Sequence, residues 1–160
     1  MSAWRTSFQT GLRALENQDW PLALQSFEDS LYMAAEDSSA EEQARICHEL
    51  AYAALKVGLP ERAEAAYRQA LQLQPDSIED LNNLALLLQQ KAPEQAQYLL
   101  ERALSLPGLH PENELQLGLE WVETTRLRHA QKALDWLQKA YQRFPLDTRV
   151  QALLAEMAES

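Results

Sequence analysis

Apolar and polar positions recur along this chain with helical spacing, and the recurrence is itself repeated. The fullest copy is Gly58-Leu59-Pro60-Glu61-Arg62-Ala63-Glu64-Ala65-Ala66-Tyr67-Arg68-Gln69-Ala70-Leu71-Gln72-Leu73-Gln74-Pro75, with small residues at Ala63 and Ala70, a ring at Tyr67 and a closing proline. The same pattern returns as Ala23, Phe27 and Ser30, as Ala96, Leu100 and Ala103, and as Ala133, Leu137, Ala140 and Pro145. Successive copies are offset by 40, 33 and 37 residues. Residues four and seven apart share one helical face, so the small residues admit a neighbouring helix and the large one fills the space beside them. A second segment precedes each copy, carrying a large then a small residue (Leu50-Ala51, Leu84-Ala85). Gly11 holds that place in the first copy, and Leu117-Gly118-Leu119-Glu120-Trp121 holds it in the fourth.

This pattern predicts helices over 2–17, 20–36, 39–57, 60–73, 77–90, 93–105, 111–127 and 130–143, with a ninth over 147–158. Pro21, Pro60 and Pro93 sit near helix starts, where a missing N–H costs nothing. Pro75 and Pro145 fall where a helix must already have ended. Only 4 Gly and 7 Pro occur in 160 residues. Strand-favouring β-branched residues are scarce, so the fold class is all-α.

Charge narrows the partners. The net charge is −10, spread as −4 over residues 1–40, −2 over 41–77, −3 over 78–113 and −1 over 114–160. A dispersed acidic surface repels nucleic acid and anionic lipid. Apolar runs such as Leu84 to Leu88 are far short of the roughly 18 residues of a spanning helix, so no direct membrane insertion is expected. The first residues show no signal-peptide core, and Cys47 is the sole cysteine. A soluble cytoplasmic protein is the expectation.

The pattern resembles the tetratricopeptide repeat, W-x₂-L-G-x₂-Y…A-x₃-F…P. The resemblance runs over 4–145 and is fullest at 44–75. Ser30 departs from the second alanine, the 31–43 stretch is about six residues longer than the usual period, and 107–113 replaces a simple Pro-Asp turn. The resemblance implies one domain over 1–160: a right-handed superhelical solenoid of about four hairpins (2–37, 39–76, 77–107, 111–146) with a capping helix at 147–158.

It also implies a concave groove lined by the first helix of each pair. Carried over position by position, the groove has an apolar ladder of Leu12, Tyr52, Leu86 and Leu119. One turn earlier lie Phe8, His48, Asn82 and Leu115; beside them lie Gln9, Glu49, Asn83 and Gln116. At the edge lie Arg5, Arg45, Glu79 and Glu112, a charge order that would orient a bound segment. Asn82 and Asn83 could bond a peptide backbone, or serve only the helix start after Pro75-Asp76-Ser77. The family's clamp for chaperone carboxylate tails needs Lys, Asn and Arg, whereas Phe8, Leu12, Glu49, Glu79 and Asn83 stand at the matching positions. An apolar or basic amphipathic segment suits the groove better.

Catalytic chemistry is not expected. No phosphate loop, G-x-S-x-G, H-E-x-x-H or paired-cysteine motif occurs, and His48, His110 and His129 are scattered. Cys47 and His48 point about 100° apart on a helix, poorly placed to share a metal, and the thiol reads as buried. Glu41-Glu42 suits a helix start, and Trp4, Trp20, Trp121 and Trp136 fall in phase with the repeats as core. No cofactor or metal is expected. The implied function is an adaptor or assembly factor. The alternatives are a chaperone like those for apolar type III translocators, or a structural homo-oligomer.

Overall fold

The computed structural model describes residues 2–158; Met1, Glu159 and Ser160, the ends of the expected 1–160 domain, lie outside the described residues. Helices and turns account for the described residues: α1 (Ala3–Glu16), α2 (Trp20–Ala34), α3 (Ala40–Lys56), α4 (Pro60–Leu73), α5 (Ile78–Leu88), α6 (Pro93–Ser105), α7 (Pro111–Thr125), α8 (Ala130–Arg143) and α9 (Thr148–Ala158). Each bound lies within two residues of the sequence expectation, and those of α4, α6 and α8 coincide with it.

Local chemistry sets these limits. Proline occupies the first turn of α2, α4, α6 and α7. Asp19 caps α2 by accepting from the Leu22 N–H at 3.3 Å. Ser39 and Glu42 form a reciprocal capping box at α3, which explains why the chain opens that helix with acidic residues. The turn after α3 needs a positive φ, supplied by Gly58 at +78°. Forty residues earlier Gln18 takes the same role at +57°, without glycine's freedom.

The chain forms two compact units, 1–84 and 85–160. In the first, α1 pairs with α2, α3 pairs with α4, and α2 packs on α3. Its core holds Phe27, Ile46 and Tyr67 beside Ala23, Ala51, Ala63 and Ala70, all at most 1% exposed. Ser30, the departure from the repeat, is fully buried and its hydroxyl donates to the Trp4 carbonyl at 2.9 Å, fastening α2 to α1. Arg62 and Glu28 pair across α4 and α2. In the second unit α6 packs on α7, α7 on α8 and α8 on α9, around Leu100, Val122, Leu137 and Val150.

The tryptophans correct the reading of all four as core. Trp4 and Trp121 are buried, at 5% and 7% exposed. Trp20 and Trp136 are half-buried. Trp20 opens α2 and meets Tyr52 edge-on at 6.4 Å, while Trp136 lies against Gly118.

Candidate functional site

The first helices of unit 1 leave two clefts. The cleft between α1 and α3 is walled by Trp4, Arg5, Phe8, Gln9, Glu42, Arg45 and Ile46, thus gathering four of the expected groove residues, Arg5, Phe8, Gln9 and Arg45. Arg5 pairs with Glu42 at 2.8 Å and lies 4.7 Å over the Trp4 ring; Arg45 lies 5.2 Å over Phe8. The hydrogen bond from Arg5 holds the Glu42 carboxyl below its ordinary range. Phe8 is 6% exposed because its ring packs at 5.6 Å on Phe27, so most of it belongs to the core.

The second cleft joins Glu41, Ala44, Arg45, His48 and Glu49 of α3 to Gln74, Ser77, Glu79 and Asp80. Asp80, which the sequence reading passed over, is 3% exposed and bonds His48 Nδ1 at 2.6 Å; Glu79 lies 3.4 Å from Nε2. The Asp80 hydrogen bond raises the His48 pKa above its ordinary value, against desolvation and with help from Asp80, Glu79 and Glu49 charge. Burial pushes the Glu49 carboxyl up.

This pair is expected to make the stability of unit 1 depend on pH. A raised folded-state pKa contributes stability that is fully present below about pH 6.5 and disappears as pH rises through the folded value. Between pH 6 and 8.5, urea unfolding should show wild type losing about 1 kcal/mol more than His48→Gln. Parallel pH profiles for the two proteins would remove His48 from this account.

Unit 2 presents a larger cleft, about 480 Å³. Leu86, Leu119, Ala152 and Leu153 supply its apolar surface, and Gln89, Gln116, Glu120, Glu123 and Arg149 frame it. Leu86 is 45% exposed, whereas Leu119 is mostly covered at 6%. Arg149 is held by Asp147 at 2.8 Å and by Gln116 at 2.9 Å. Glu120 accepts from Gln116 through Oε1 at 2.6 Å, leaving the occluded Oε2 without a partner. A smaller cleft holds Leu115 with Glu114, Trp136, Lys139, Ala140, Arg143 and Phe144.

The other expected groove residues distribute as follows. Leu12, Asn82 and Asn83 are half-buried, and the Asn82 Oδ1 is occluded without a partner. Tyr52 is 40% exposed, with the Lys56 ammonium 5.1 Å over its ring. Glu112 sits exposed in the first turn of α7, its N–H bonded to His110 Nδ1 at 3.4 Å. The α9 residues Arg149, Ala152 and Leu153 were missed. A capping helix has no counterpart in the repeat, so only the need to cover α8 signalled it.

The family profile described as tetratricopeptide repeat matches residues 44–77. Residues 44–77 match a tetratricopeptide repeat, and the chain has the fold of tetratricopeptide-repeat proteins. Solved structures extend the likeness of fold beyond that one repeat. A tetratricopeptide repeat protein from Parabacteroides merdae superposes with TM-score 0.80 at 18% identity, over 98% of this chain and 60% of that one. The nearly identical repeats of a Podospora anserina putative kinesin light chain give 0.77 at 20%, over 99% and 86%. YrrB, described as having an unusual peptide-binding site, gives 0.74 at 17%, over 95% and 74%. No curated protein matches by sequence.

Among the described residues, no three His, Cys, Asp or Glu side chains are grouped to hold a metal ion, and no helix is long and apolar enough to cross a membrane. Cys47 is fully buried, and burial pushes its thiol up to about 12.

Proposed function

We propose that this chain is a non-enzymatic interaction module that binds an apolar or basic amphipathic segment of another protein in the unit 2 cleft. The observation carrying this reading is Leu86. A leucine left 45% exposed beside Leu119, Ala152 and Leu153 creates an apolar surface with a polar frame, the usual make-up of a binding site. The frame favours donors: Arg149 is already engaged by Asp147 and Glu123 by Arg126 at 3.0 Å, while Glu120, bonded only to the neutral Gln116, keeps its negative charge unneutralised. An amphipathic helix or strand with apolar anchors and a flanking Lys or Arg satisfies both features. Adaptor or assembly work follows from such binding, and nothing in the cleft requires a cofactor.

The test is affinity capture with wild type, Leu86→Glu and Tyr98→Glu, followed by titration of the captured protein against each. Tyr98 is 64% exposed and does not line the cleft. Leu86→Glu should weaken binding at least tenfold, about the loss from removing one central anchor, while Tyr98→Glu leaves it unchanged. Equal affinity of all three proteins would place the interface elsewhere.

A further inference from the structure

We propose that the α1–α3 cleft of unit 1 receives the carboxylate of an aspartate or glutamate side chain from a partner protein. The inference is independent of the unit 2 cleft.

Three features of the wall support it. Trp4 is 5% exposed, yet its indole N–H has no hydrogen-bond partner. Buried donors are paired in the great majority of cases, so this one calls for an acceptor. Arg45 forms no ion pair within 4 Å among the described residues; it is held over the Phe8 ring at 5.2 Å, which leaves its N–H edge available. Gln9, exposed on the same wall, adds an amide donor.

Charge and size then select the occupant. Arg5 and Arg45 against Glu42 make the cleft locally positive in a chain of net charge −10. Glu42 already shows the chemistry, its carboxylate seated on Arg5 at 2.8 Å. Two further carboxylates, Glu41 and Glu49, lie one turn to either side of Arg45 on α3 and line the second cleft instead. The cavity is about 200 Å³, below the roughly 300–1,000 Å³ of sites that enclose whole ligands. One side chain fits that space better than a chain end with its backbone. Arg5 lies 4.7 Å over the Trp4 ring, so the guanidinium and the indole border the same space.

The experiment is an NMR titration of the ¹⁵N-labelled protein, with the Trp4 indole signal assigned from its loss in Trp4→Phe. The probes are N-acetyl-glutamate N-methylamide, the corresponding blocked glutamine, and N-acetylglycine, at matched ionic strength. Blocked glutamate should move the Trp4 indole signal saturably, and blocked glutamine should not. Arg45→Gln should weaken the effect about tenfold or more, and Arg45→Lys should fall between, because it keeps the charge without the fork. The remaining three indole signals report whether each variant is folded. A Trp4 signal indifferent to glutamate, or equally responsive in folded Arg45→Gln, overturns the proposal. A stronger response to N-acetylglycine overturns the choice of a side chain over a chain end.

Discussion

Truncating Tyr67 to alanine is expected to destabilise unit 1 by about 3–5 kcal/mol, the usual range for deleting a buried ring. The ring is 1% exposed on α4 and meets His48 edge-on at 6.0 Å. Its neighbours on the helix face, Ala63 and Ala70, are fully buried and carry only a methyl each, too short to fill the hole. Whole domains are stable by about 5–15 kcal/mol, so this one change removes a large share. Burial also pushes the phenol up to about 12, so the residue is neutral throughout the working pH range. Tyr67→Phe keeps the ring and should cost about 1 kcal/mol or less. Urea unfolding followed by circular dichroism separates the two. An alanine cost no larger than the phenylalanine cost would mean that the hairpins collapse onto the vacancy.

Gly118→Ala is the second large effect, and it runs through a single neighbour. A Cβ at 118 would lie inside the Trp136 ring, with even Cε2 only 2.5 Å away. Gly118 is an ordinary helical position, so its value lies in the absence of a side chain. The substitution should cost about 2–3 kcal/mol by overpacking, despite the gain of up to about 1 kcal/mol from removing a mid-helix glycine. In a Trp136→Ala background that cost should vanish or reverse, a coupling that a double-mutant cycle measures. The same loss in both backgrounds would show that backbone spacing, and not the indole, demands glycine here.

These two sites show what the repeat made legible. Ala63, Tyr67 and Ala70 lie four and seven apart because one helix face needs them so, and a face is a local property. Gly118 was visible for the same reason, as the small residue after Leu117. Its partner Trp136 was not visible as a half-buried ring, because that depends on how α8 meets α7. Likewise Arg5, Phe8, Gln9 and Arg45 stood out as neighbours, but the Arg5–Glu42 pair could not be foreseen from two helix starts 37 residues apart. Asp80 drew no notice in the sequence, because only the packing of α5 brings it against His48. Ser30 looked like a defect in the pattern. Its hydroxyl instead bonds the Trp4 carbonyl, a tertiary contact that no helical period encodes.

The seclusion of Cys47 makes the chain convenient to instrument. Its only sulfhydryl is fully buried and pushed up to about 12, so almost none is thiolate near neutrality, the form that attacks maleimides. A cysteine introduced at a chosen surface position would then be the one reactive sulfur, with the native residue left in place. Fluorophores or spin labels set beside either cleft could report occupancy without first re-engineering the core.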